Sequence, residues 1–126
     1  MLPKENRLDL KKEFFEIKKK GKLLRGKLFN FLFLVSKQLS NSNIRLLADN
    51  FQPPNFALIV SKKIDKRATK RNRVKRLLGE AIRSFLPRLQ PGIKGVFLVK
   101  KEILEKNFTD IKNEIEETLK EANLFR

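Results

Sequence analysis

Six apolar residues, Val74, Leu77, Leu78, Ala81, Ile82 and Phe85, stand at offsets 0, 3, 4, 7, 8 and 11, a spacing that only a helix gathers onto one side. The segments that bracket this stripe are shorter and uninterrupted. Before it, Phe56 to Val60 is an apolar run that ends in Ser61-Lys62-Lys63. After it, beyond Pro87 and the Gln90-Pro91-Gly92 turn, comes Gly-Val-Phe-Leu-Val-Lys from Gly95 to Lys100. Both runs read as buried strands. The centre of the chain is therefore strand, helix from about residue 69 to residue 85, strand: a crossover unit that needs a sheet to close on.

The flanks supply the rest of that sheet and its cover. Leu10, Phe14 and Ile17 recur at helical spacing, and Gly21 is placed to end a helix over residues 10–20. Residues 28–35 alternate Phe29, Phe31 and Phe33 with mostly leucines, a strand with both faces covered. Residues 36–54, with Ser36, Ser40, Asn41, Ser42 and Pro53-Pro54, read as polar loops around a possible short strand at Ile44 to Ala48. Phe108, Ile111, Ile115, Leu119 and Ala122 form one stripe of a C-terminal helix, with Asp110 in its first turn and Lys120 in its last. The 126 residues are expected to make one domain spanning 1–126, of class α+β: a two-layer α/β sandwich in the order α-β-β-β-α-β-α.

Charge decides what such a domain binds. Thirty Lys and Arg against 14 Asp and Glu leave a net +16, which calls for a polyanion: RNA, DNA or an anionic membrane surface. The excess is uneven, because residues 101–126 hold 7 acids and 5 bases, which leaves 25 bases and 7 acids for residues 1–100. The C-terminal segment is expected to face away from the polyanion. Neither Cys nor His occurs, which removes thiol nucleophiles, disulfides, zinc ligands and histidine bases together. No phosphate-binding glycine loop or carboxylate cluster is visible outside the acidic, amphipathic C-terminal stretch. No catalytic residue and no metal ligand is therefore expected from the protein. The longest apolar run, Phe29 to Val35, is interrupted by Asn30 and is well short of the roughly 20 residues that cross a membrane. No secretory signal opens the chain, so no membrane association and a cytoplasmic location are expected.

The charge concentrates between Lys62 and Arg83, where ten bases (Lys62, Lys63, Lys66, Arg67, Lys70, Arg71, Arg73, Lys75, Arg76, Arg83) meet two acids, Asp65 and Glu80. At about 100° per residue, Asn72, Arg76 and Arg83 lie opposite the Val74 stripe, with Arg73 and Lys75 on the flanks. An ordinary solvated helix face mixes Glu with Lys for mutual support; this one has a single Glu, so its self-repulsion needs a ligand to offset it. Arg forks suit phosphate and base edges. A DNA-reading helix would be expected beside a turn-linked partner helix, not alone between strands. A ribosomal or double-stranded RNA-binding protein accounts equally well for the charge and the element order.

The spacing goes further. Ser61-Lys62-Lys63, then Ala68-Thr69, Arg71-Asn72-Arg73-Val74-Lys75-Arg76, Glu80 and Arg83 resemble the signature of the bacterial-type ribonuclease P protein family. Asn6-Arg7-Leu8, Phe14 and Lys20-Gly21-Lys22 resemble that family's opening segment. The resemblance implies a four-stranded sheet with three helices and a left-handed β-α-β crossover. It also implies a protein subunit of an endoribonuclease that removes the 5′ leader of precursor tRNA. Its partners would be a catalytic RNA and the precursor tRNA, with no obligate protein partner, and Mg2+ would be held mainly by the RNA. On this likeness Arg71, Asn72, Arg73, Lys75, Arg76 and Arg83, with Ser61, Lys62, Lys63, Lys66 and Arg67, meet the RNA, while Phe14, Phe15 and Lys18 line a leader-binding cleft between the first helix and the sheet.

Several of these residues have a plainer reading. Phe14 has the spacing of a core residue as much as of a base-stacking one. Phe29, Phe31 and Phe33 read first as core, and Ser61 could cap a turn as readily as meet a phosphate. Two positions depart from the family: Gly79 replaces an arginine, which implies one RNA contact fewer, and Lys18 stands where a second aromatic is usual, which implies a stacking surface that is either smaller or rebuilt from Phe15 or the strand phenylalanines.

Overall fold

A computed structural model describes residues 2–35 and 53–125. Helix α1 (Leu10–Lys20) leads into β1 (Lys22–Arg25) and β2 (Phe29–Val35); β3 (Asn55–Ile59), α2 (Ala68–Phe85) and β4 (Ile93–Val99) form the crossover, and α3 (Phe108–Glu121) follows. The sheet order is β1-β2-β4-β3. β2 pairs antiparallel with β1 and β4, while β3 and β4 are parallel neighbours joined through α2. Sequence spacing located three of these strands and all three helices. The strand at Ile44 to Ala48 lies outside the described residues, and β1 went unread because Lys-Leu-Leu-Arg is short and lacks alternation.

One face of the sheet is sealed by α2 and α3. Phe29, Phe31 and Phe33 from β2, Phe56 from β3, and Ile93 and Phe97 from β4 meet Val74, Leu78, Ala81, Ile82 and Phe85 of α2 and Ile111, Ile115 and Leu119 of α3, all buried. Phe31 stacks on Phe97 with centroids 4.5 Å apart and on Phe33 at 5.2 Å, while Phe29 meets Phe97 edge-on at 5.0 Å. The strand phenylalanines are thus core, held in ring geometries that add to simple burial. Gly95 makes the stack possible: a Cβ there would press into the rings of Phe31 and Phe56. Phe108 departs from the expected stripe, since as the first residue of α3 it stays exposed, and Ile103 on the preceding 3-10 turn is the buried residue at that end. Asn107 caps α3 by accepting from the Asp110 amide at 2.9 Å.

The opposite face carries α1 over a smaller cluster of Leu8, Ile17, Leu32, Ala57 and Val96, edged by half-buried Leu10, Phe14, Leu34, Ile59 and Leu98. Three ties hold α1 there. Asn6, one of the two buried polar residues described, donates from Nδ2 to the Pro54 carbonyl at 2.7 Å. The Leu8 amide donates to the Phe56 carbonyl at 2.9 Å. Lys94 of β4 pairs with Glu13 of α1 at 2.8 Å. Asn6-Arg7-Leu8 is therefore a clip that fastens the chain to the β3 edge. Gly21 does end α1, but its φ is −80° and its backbone extended, so it is not the left-handed cap that glycine usually provides. What the position requires is the missing Cβ, which would collide with the carbonyl oxygens of Ile17 and Phe33 as the chain turns into β1.

Candidate nucleic-acid interface

α2 is locked on its inner side and presents basic side chains on its outer side. Asn72, Arg73, Lys75, Arg76 and Arg83 are all exposed, as are Ser61, Lys62, Lys63 and Lys66 on the turn between β3 and the helix. That turn is closed by the Ile64 amide donating to the Ser61 carbonyl at 3.1 Å, and it is pinned by the buried Ile64 side chain. The lysines at the strand's exit and the arginines of the helix therefore sit on one continuous rigid support. No acid lies in the first turn of α2, so its positive dipole end adds to the field of the side chains.

Two of the candidate arginines are engaged by the protein itself. Arg67 grips Asp65 with a fork, Nε to Oδ1 at 3.1 Å and Nη2 to Oδ2 at 2.8 Å, and its amide donates to Oδ1 at 2.8 Å. The Arg67 side-chain hydrogen bonds, followed by its amide, hold the Asp65 carboxyl down at about 2 against an ordinary 3.8. Arg71 is half-buried and donates from Nη1 to the carbonyls of Asp65 and Lys66, both at 2.9 Å. It straps the turn onto the first turn of the helix, a role sequence spacing could not distinguish from RNA contact. Among the described residues no ion pair involves Lys62, Lys63, Lys66, Arg73, Lys75, Arg76 or Arg83.

The second region is the flank of α1. Strand pairing places Arg25, Asn30, Leu98 and Ile59 in one row across the sheet, on the side that α1 covers. Glu13 is tied to Lys94, at the other end of β4 from Leu98. Phe14, about 100° round the helix from Glu13, with Lys18 one turn on, therefore faces the Leu98 and Ile59 end. Phe14 packs half-buried at the margin of the small cluster, which bears out its core reading in part and leaves one side of the ring accessible. Lys18 is exposed beside it.

Phe15 corrects the sequence reading. It does not line the cleft: it lies about 200° from the inward Ile17 and is 77% exposed. Asn30, by contrast, is a residue that motif spacing does not single out. Its Oδ1 is buried with no hydrogen-bond partner among the described residues, and it sits mid-row between Arg25 and Leu98. The signal was present as the single polar residue interrupting an apolar run. Gly79, where the resembled family has arginine, is buried. The described acids form no group of three that could hold a metal ion, and no described helix is long and apolar enough to cross a membrane.

Comparison with known proteins places this architecture. Among curated relatives, the ribonuclease P protein component of Microcystis aeruginosa is 30% identical over 123 residues, covering 98% of this chain and 95% of its own. That of Nostoc punctiforme is 31% identical over 134 residues, covering 98% and 96%. The solved Staphylococcus aureus RNase P protein shares the fold with a TM-score of 0.76 at 21% identity, over 96% of this chain and 98% of that one. Residues 2–123 match the family described as Ribonuclease P, and on these grounds the chain belongs to the ribonuclease P protein family.

Proposed function

We propose that this chain docks on the catalytic RNA of ribonuclease P through α2 and the Ser61–Lys66 turn, and holds the 5′ leader of precursor tRNA in the cleft between α1 and the Arg25-Asn30-Leu98-Ile59 row. The observation that carries the reading is the ridge of Arg73, Lys75, Arg76 and Arg83, exposed and in no described ion pair, on a helix whose inner side is packed. A rigid array of forks binds a folded RNA without first having to be ordered. Membership of the family supports the assignment to a tRNA-processing subunit.

Hydrolysis in this reading belongs to the RNA and to Mg2+ that the RNA holds. The protein offers little that could activate water. Histidine and cysteine are absent, and one of the two acids in the basic segment, Asp65, is neutralised by Arg67. The chain's own contribution is to bring phosphates of two RNAs together by supplying compensating charge, and to hold the leader in place by apolar contact with Phe14. Lower demand for free magnesium follows, because protein cations take over part of the neutralisation.

The test is multiple-turnover cleavage of a precursor tRNA at low magnesium, with the catalytic RNA alone and with the protein added. Rescue of cleavage at the mature 5′ end supports the reading. No rescue, or cleavage by the protein alone, hands the basic ridge to a different RNA. A salt titration is a second check: affinity for the catalytic RNA should fall steeply and linearly with log salt, and a flat response would remove the ridge from the interface.

A further inference from the structure

On the outer face of α1, Phe15 is the most exposed large apolar side chain described, at 77%. A helical residue touches its neighbours three and four positions away, and for Phe15 these are Lys12, Lys11, Lys18 and Lys19, all four lysine and all exposed. A phenylalanine serving the core, or a partner's apolar groove, would have apolar neighbours at those positions. The nearby acids are otherwise engaged: Glu13 pairs with Lys94, and Glu16 lies 4.0 Å from Lys20. The result is an aromatic ring framed by ammonium groups.

We propose that this face is a second single-stranded-RNA platform, adjoining the cleft at Lys18. Phe15 stacks a base of the leader upstream of the nucleotides the cleft holds, and Lys11, Lys12, Lys18 and Lys19 meet the phosphates on either side. The proposal rests on the cleft reading above for the identity of the strand. Stacking on an aromatic flanked by cations is how single strands are bound without regard to sequence. The two surfaces are continuous: going round α1 from the sheet, Phe14 comes first, Lys18 next and Phe15 after it, at successive steps of about 40° to 60°. A strand leaving the cleft over the shoulder of the helix passes Lys18 and reaches the Phe15 ring.

The experiment is equilibrium binding of the reconstituted holoenzyme, under non-cleaving conditions, to precursor tRNAs with leaders of about 5 and about 15 nucleotides, lengths chosen to fill one or two single-strand sites. Phe15→Ala is expected to raise Kd for the long leader by about 5-fold to 100-fold and to leave the short leader unaffected. Phe15→Trp should retain tight binding, and Phe15→Leu, which keeps apolar bulk without a π face, should not. An equal loss on both leaders, or no loss on the long one, overturns the proposal. Phe14→Ala separates it from the cleft reading: loss on both leaders upholds the cleft. No loss on either, with the Phe15 effect intact, removes the cleft and leaves the platform standing.

Discussion

α1 and α2 lie on opposite faces of one sheet and are made of similar material, an apolar stripe backed by basic residues. They differ in how much they bury. α2 seats Val74, Leu78, Ala81, Ile82 and Phe85 in a core shared with α3, whereas α1 buries Ile17 alone. The ties that supplement α1 are polar: the Glu13–Lys94 pair, the Asn6 amide and the Leu8 backbone bond. A helix sealed from two sides can present a fixed array to a folded RNA. A helix resting on a narrow cluster leaves a flank open, which is what a flexible strand needs. The contrast fits the proposed reading, with the folded partner on α2 and the single strand on α1.

The strongest way to break this comparison is to empty the two helices' inner faces. Leu78→Ala leaves a cavity in the sealed core and should cost about 2 to 5 kcal/mol. Leu10→Ala on α1, at a half-buried position, should cost only about 1 kcal/mol. Urea unfolding followed by circular dichroism measures both, and equal losses would mean that α1 is as locked as α2.

The outer faces come next. Arg76→Ala should weaken binding of the catalytic RNA by about 1 to 3 kcal/mol. The side chain is exposed and has no described ion pair, so the melting temperature should not move. A variant that unfolds would show that Arg76 serves the fold and that the ridge is not free.

Much of this architecture was legible because apolar period is a local property. The α2 stripe, the alternating phenylalanines of β2 and the stripe of α3 each reported their own element. What was not legible depended on a neighbour. β1 exists because β2 lies beside it, and Lys-Leu-Leu-Arg has no period of its own. Arg71 and Arg67 look from the sequence like Arg76, yet a carbonyl pair and the Asp65 carboxylate engage them. Phe15 could have been read correctly from its position alone, since two residues from Ile17 on a helix is the far side. The family resemblance, with an aromatic where Lys18 stands, is what points it toward the cleft instead.

The open flank gives a smaller effect with an unusual sign. Asn30 holds a buried Oδ1 with no partner among the described residues on the α1 side of the sheet, and a lone buried acceptor is destabilising. Asn30→Leu, close in shape and without the oxygen, should raise stability by about 1 kcal/mol while lowering affinity for leader-bearing precursor relative to mature tRNA. Gain of stability with unchanged leader affinity would make Asn30 a packing defect and would take the row out of the cleft.

The smallest effect sharpens the sealed side. The Asp65 carboxyl is held at about 2, below its ordinary 3.8, chiefly by the Arg67 side chain and then by the Arg67 amide. A group depressed on folding contributes stability that is fully present above its unfolded value and lost as pH falls through its folded one. The Asp65 contribution is therefore constant at neutral pH and disappears between 3.8 and about 2. Asp65→Asn should lower the melting temperature slightly at neutral pH, because the Arg67 side of the pair lies largely in solvent, and that difference from wild type should close as the solution is acidified across the window. A difference that persists unchanged in acid would mean that Asp65 supports the turn through its backbone geometry, with Arg71 on its carbonyl, and not through the charge it shares with Arg67.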